Sequence, residues 1–147
     1  MKLYLDLCCF NRPFDDQSQL LVRLQTEAKL AIQESIRSRV HTLVWSAILD
    51  LENADNPDSE RESAIAEWKS LAEVDLAITV NVENLATKLA GDGLKAMDAL
   101  HFASAIEAGA DCFVTTDKQI LRKMKSDCRV QVLDPVDFIR QTESDEE

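Results

Sequence analysis

Glycine and proline are scarce, with 3 of each in 147 residues. That leaves no flexible Gly-rich or stiff Pro-rich linker to divide the chain. Histidine is scarcer: His41 and His101 stand alone and far apart, so neither an HxxxH nor an HD metal motif is present. The cysteines Cys8, Cys9, Cys112 and Cys128 contain no CxxC pair, which argues against structural zinc, whose ligands come at short paired spacings. No apolar run approaches the roughly 20 residues that a membrane-spanning helix needs. Leu3-Tyr4-Leu5 meets Asp6 at once, a poor start for a signal peptide. The expected compartment is therefore the cytoplasm, where disulfides are rare. Positive charge is short as well, with 16 Lys and Arg against 27 Asp and Glu and a formal net charge of −11. A field of that sign does not draw in a polyanion, which counts against a passive nucleic-acid coat. It leaves open an enzyme whose acids hold metal ions. GxSxG, GxGxxG and GxxxxGK[ST] are all missing, so the familiar hydrolase and nucleotide loops are excluded.

What is present is an ordinary globular composition, 46% hydrophobic and 29% charged. The length suits one domain, expected over residues 1–140, with 141–147 as an acidic, frayed tail. Short apolar runs alternate with helical patterns. Strands are expected at Leu3–Leu5, Thr42–Trp45, Ala77–Val80, Cys112–Thr115 and Val130–Leu133. The spacing of Leu20, Leu21, Leu24, Ala28, Ala31, Ile32 and Ile36 predicts a helix over 17–38. Ser46 reads as an N-cap, and helices are expected from Asp58 or Ser59 to Leu71, over 82–89, over 98–108 closed by Gly109, over 117–125 and over 136–141. This alternation predicts an α/β three-layer sandwich, a mainly parallel sheet with helices on both faces. In such folds the ligand site lies beyond the carboxyl ends of the strands.

Four carboxylates fall there. Asp6 follows the first strand, Glu52 lies in the helix after the second, Asp98 opens the long alanine-rich helix, and Asp117 follows the fourth strand. Each alone has an ordinary explanation, because an Asp at a helix start caps it and favours the dipole. Converging, they repel one another, and a bound cation relieves that repulsion. Oxygen-only ligands suit Mg²⁺ or Mn²⁺, and such ions suit phosphate-ester hydrolysis.

These residues stand in segments that resemble the PIN domain, the nuclease fold of VapC-type toxins. Met1-Lys2-Leu3-Tyr4-Leu5-Asp6 is similar to its opening strand, and Ser46-Ala47-Ile48-Leu49-Asp50-Leu51-Glu52 to its second motif. Met97-Asp98-Ala99-Leu100-His101-Phe102-Ala103-Ser104-Ala105 and Phe113-Val114-Thr115-Thr116-Asp117-Lys118 are similar to its third and fourth. The order and spacing hold over about residues 1 to 140. The resemblance implies a Mg²⁺- or Mn²⁺-dependent endoribonuclease. Asp6, Glu52, Asp98 and Asp117 would form its catalytic and metal-binding set, with Thr116 supporting them. It also implies RNA as substrate, a homodimer, and a small antitoxin as partner. Two positions depart from the pattern: Leu7 stands where many relatives have Ser or Thr, and Gln119 where many have a further acid. They keep an alternative open, a PIN-like module that binds RNA or protein without turnover.

A phosphoacceptor receiver domain is disfavoured, because Val80 is followed by Asn81 rather than Asp. DxD phosphatase chemistry fails at Asp6-Leu7-Cys8. Asp50 and Glu52 are about 200° apart on a helix, so only one can face the strand ends. The family spacing selects Glu52 and leaves Asp50 solvated. His101 shares a face with Asp98 and reads as a buried or supporting histidine. Arg12 reads as a phosphate contact or a turn residue. Lys118, Arg122, Lys123 and Lys125 read as a solvated helix face or a landing strip for RNA backbone. Trp45 and Trp68 read as core or interface anchors.

Overall fold

The computed structural model describes residues 1–146, and the side chains of residues 144–147 lie outside the description. Five strands form one parallel sheet: β1 (Lys2–Leu5), β2 (Thr42–Ser46), β3 (Ala72–Leu76), β4 (Cys112–Val114) and β5 (Gln131–Leu133). Their order is β3-β2-β1-β4-β5, so the first strand made lies at the centre. Eight α-helices among the described residues connect them: α1 (Leu7–Asn11), α2 (Leu20–Arg37), α3 (Ala47–Ala54), α4 (Ser59–Ala66), α5 (Val80–Gly91), α6 (Ala96–Glu107), α7 (Lys118–Lys123) and α8 (Pro135–Glu146). None is long and apolar enough to cross a membrane.

The winding follows from chirality. Crossovers between parallel strands are right-handed. From β1 the chain steps outward through β2 to β3, then returns past β1 to β4 and β5. That reversal places the connecting helices on opposite faces. Accordingly α2 packs with α8, and α5 packs with α6. The three layers are those expected from the alternation of elements. Leu3, Tyr4, Leu5, Leu43, Trp45, Cys112, Phe113 and Val114 are fully buried, as strands covered on both faces should be. Tyr4 stacks on Phe113, and Phe10 meets Trp45 edge-on. Trp45 and Trp68 are both core residues, and the cysteines are all free.

Three expectations need correction. The third strand is Ala72–Leu76, not Ala77–Val80. It is an edge strand whose residues alternate between half-buried and exposed, so its apolar signal is diluted by Glu73 and Asp75. The more continuous run 77–80 leads into α5 with Thr79 as N-cap, leaving Ile78 43% and Val80 69% exposed. The second correction concerns α2: its helical spacing holds, but the buried face begins at Gln25, and Leu20, Leu21 and Leu24 face outward. Third, the last helix, expected over 136–141, is α8 over Pro135–Glu146, while part of the expected tail 141–147 lies outside the described residues.

Candidate functional site

The sheet reverses its winding between β1 and β4, and a doubly wound sheet opens its crevice at the carboxyl ends of such a pair. Leu5 pairs with Val114 in the last register step. One residue further on, Asp6 and Thr115 stand side by side. The Asp6 backbone N–H still donates to the Val114 carbonyl at 2.9 Å. Its side chain then caps α1, with Oδ1 accepting from Leu7 N–H at 2.8 Å. Thr115 Oγ1 donates to Asp6 Oδ2 at 2.8 Å and accepts from the Asp117 backbone N–H at 3.0 Å. One buried hydroxyl therefore ties the first and fourth carboxylate segments together.

The remaining acids arrive by helix geometry. Ser46 caps α3, its Oγ accepting from Leu49 N–H at 3.3 Å, which sets the rotation of the helix. Glu52 then turns toward the crevice. Asp50 faces away and is exposed, accepting from Trp45 Nε1 and Lys69 Nζ, each at 3.0 Å. It is thus ion-paired rather than merely solvated. Asp98 lies in the first turn of α6 without capping it. Asp117 caps α7, with Oδ1 accepting from the N–H groups of Gln119 and Ile120 at 2.8 and 3.2 Å.

These four acids, with Cys8, Arg12 and Thr116, line one open cleft of about 340 Å³. A hollow of about 370 Å³ at the other end of the sheet is larger, but it does not gather comparable chemistry. Burial raises the Asp98 carboxyl to about 6, helped by the negative charges of Asp6 and Asp117. Asp6 is also raised, mainly by burial, against the opposing effects of His101 and the Thr115 hydroxyl. The cleft therefore concentrates negative charge at a cost, and a cation offsets such a cost.

Arg12 is the one cation among the lining residues. Its Nη1 pairs with Asp15 at 2.9 Å, and its Nε donates to Gln25 Oε1 at 2.9 Å. It is thereby held at the rim, and it sits in the turn Arg12–Phe14, as the turn reading of this residue expects. Lys118, Arg122 and Lys125 are exposed along and just past α7, while Lys123 donates to the Gly93 carbonyl.

Thr116 lines the cleft, but its backbone N–H donates to Cys8 Sγ, and the hydrogen bond to a site carboxylate comes from Thr115. Cys8 was missed as a lining residue; its Sγ lies 3.5 Å from both Asp6 Oδ2 and Thr115 Oγ1. The largest omission is a buried chain beneath the cleft. Tyr4 Oη is 2.6 Å from Ser46 Oγ and 2.6 Å from His101 Nδ1, and His101 Nε2 is 3.2 Å from Glu52 Oε1. Burial pushes the Tyr4 hydroxyl well above its usual range, so it keeps its proton. Tyr4 sits in the same short motif as Asp6, but only strand register brings its ring beneath Ser46 and His101.

No family model matches the chain, and no curated protein matches its sequence. Among solved structures it is similar to one chain of VapBC2 from Rickettsia felis, whose crystal structure is bound to a DNA fragment from their promoter. The two share 15% sequence identity at a TM-score of 0.55, over 90% of this chain and 97% of that one. The likeness is one of fold, and it agrees with the three-layer α/β architecture read from the sequence.

Proposed function

We propose that the chain is a Mg²⁺- or Mn²⁺-dependent endoribonuclease, with Asp6, Glu52, Asp98 and Asp117 as its catalytic and metal-binding set. One observation carries the reading. Four acids from four separate segments line a single cleft at the switch point of the sheet, where burial, helped by the charges of Asp6 and Asp117, raises the Asp98 carboxyl to about 6. Oxygen donors in that arrangement suit hard divalent ions. Such an ion, when bound, activates water and offsets charge at a phosphodiester.

The protein's own residues do the rest. Thr115 holds Asp6 Oδ2, so the carboxylate keeps one orientation. His101 holds Glu52 from below. Asp117 commits Oδ1 to capping α7, which leaves Oδ2 for the cleft. Arg12 at the rim is suited to bind a substrate phosphate, and the exposed cations of α7 extend that track despite the net charge of −11. By analogy with VapBC2, the reading extends to a small antitoxin-like protein partner, and by family resemblance to a cytoplasmic homodimer.

A second reading is favoured by Gln119, an amide where the resembled family often carries an acid. Under it the domain binds RNA or a protein without cleaving. Incubation of single-stranded RNA with Mn²⁺, Mg²⁺ or EDTA decides between them. Cleavage with either metal and none with EDTA supports the nuclease. Metal-independent binding without cleavage supports the module.

A further inference from the structure

We propose that His101 is itself a metal ligand, so that Asp6, Glu52 and His101 form a mixed nitrogen–oxygen site that prefers Mn²⁺ and later divalent ions over Mg²⁺. The inference rests on the metal-dependent reading above and makes it more specific. The donor atoms of these three residues all lie within 4.8 Å of one another. Among the described residues, this compact group includes neither Asp98 nor Asp117. An octahedral ion with bonds of roughly 2.1 Å spaces neighbouring ligands about 3.0 Å apart and opposite ones about 4.2 Å apart. The 3.2 Å between His101 Nε2 and Glu52 Oε1 is close to a neighbouring-ligand edge.

The buried chain beneath supplies what a ligating imidazole needs. Tyr4 Oη touches both Ser46 Oγ and His101 Nδ1, and it has one proton to give. In one arrangement Ser46 donates to Tyr4, Tyr4 donates to Nδ1, and Nε2–H donates to Glu52. In the other, Nδ1–H donates to Tyr4, Tyr4 donates to Ser46, and the Nε2 lone pair is free for a cation. The contacts from Ser46 to His101 survive the exchange, so the buried chain stays connected when the ion enters. An oxygen accepting from the far nitrogen is the usual outer partner of a metal-bound histidine. His101 is 1% exposed, so this orientation is held by packing as well. An imidazole among the ligands shifts preference away from Mg²⁺, which favours oxygen donors alone.

The test uses Mn²⁺ added to the metal-free protein and pulsed electron paramagnetic resonance. Expected is a ¹⁴N coupling to Mn²⁺ that changes to ¹⁵N when histidine is isotopically labelled, and that persists in His41→Gln. By titration, His101→Gln should weaken Mn²⁺ binding about tenfold to a hundredfold, and Mg²⁺ binding far less. Tyr4→Phe should keep the nitrogen coupling and weaken Mn²⁺ about tenfold. Bound Mn²⁺ with oxygen couplings alone would overturn the proposal and leave the metal-dependent nuclease standing, with His101 merely orienting Glu52. No Mn²⁺ binding at all would overturn both. If His101→Gln fails to fold, the labelled wild-type spectra still decide.

Discussion

The two ends of the sheet carry opposite chemistry. At the carboxyl end, Asp6, Glu52, Asp98 and Asp117 crowd into one cleft with Arg12 as the only lining cation. At the amino end, Arg37, Arg39 and His41, with Glu73 as the one acid, line a hollow of about 370 Å³, and the chain's own terminal amine lies 3.2 Å from His41 Nδ1. Much of the amino-end charge serves the fold. Arg37 lies over the Trp68 ring at 4.6 Å, and both arginines sit at the C-terminus of α2, where cations favour the helix dipole. At the carboxyl end Asp6 and Asp117 cap helices, but Asp98 is raised, first by burial and then by the charges of Asp6 and Asp117, so its ionised form works against the fold. The contrast separates residues kept for stability from residues kept in spite of it.

The largest expected effect lies at the carboxyl end. Glu52→Gln should remove nearly all metal-dependent RNA cleavage with an unchanged far-UV circular dichroism spectrum. Asp50→Asn should stay within a few-fold of wild type, because Asp50 faces Lys69 and solvent. Equal activity in both variants would remove Glu52 from the site. Next in size is the response to metal. Saturation at a hundredfold excess over Kd should add about 2.7 kcal/mol, seen as a rise in Tm that EDTA reverses. A Tm indifferent to Mn²⁺, Mg²⁺ and EDTA would mean that the carboxyl end is not a metal site.

A smaller effect follows from protonation. The folded Asp98 carboxyl sits at about 6 against an ordinary 3.8, so the folded state holds its proton more tightly than the unfolded one. This contribution to stability is present at low pH and is lost as pH rises from about 4 to 6. Without metal, Asp98→Asn should therefore melt higher than wild type at pH 7.5 and equal to it at pH 4. Discounted for the half-exposed position, the gain is on the order of 1 kcal/mol, or about 3 °C. A variant that melts lower at pH 7.5 would contradict the claim of mutual repulsion.

The smallest effect belongs to the amino end. Arg39 follows the C-cap of α2 with φ 64, and the Val40 and Arg39 N–H groups donate back to Ser35 and Ile36. Glycine is the usual residue at such a left-handed closing position. Arg39→Gly should raise stability by about 1 kcal/mol or less in denaturant titrations and leave cleavage untouched. Lost cleavage would tie the amino end to the site after all.

The central strands and the four acids were legible in the sequence. β1, β2 and β4 are buried on both faces, so their apolar runs are continuous; Asp6 directly ends the first, while Glu52, Asp98 and Asp117 stand in the helices or turns that follow and were found by motif spacing. The edge strand β3 has no such run, and its alternation with Glu73 and Asp75 let the neighbouring stretch 77–80 compete for the assignment. Thr115 escaped because motif spacing ends on Asp117, whereas the hydrogen bond to Asp6 depends on strand register. His101 shows the limit most clearly. Its place on the Asp98 face is visible from helical spacing, but its two partners come from β1 and α3, which no local pattern connects.

The central position of β1 has a consequence for the order of synthesis. A parallel strand cannot pair with its immediate successor in a tight hairpin, and β1 waits for β2 on one side and β4 on the other. Asp6 and the Thr115 hydroxyl that orients it are 109 positions apart. A chain leaving the ribosome exposes its first carboxylate early, yet that carboxylate has no oriented partner until most of the protein has been translated. The cleft is therefore completed late, and a truncated or stalled chain that ends before residue 115 carries Asp6, Glu52 and Asp98 without Asp117 and without the Thr115 hydroxyl that holds Asp6 Oδ2.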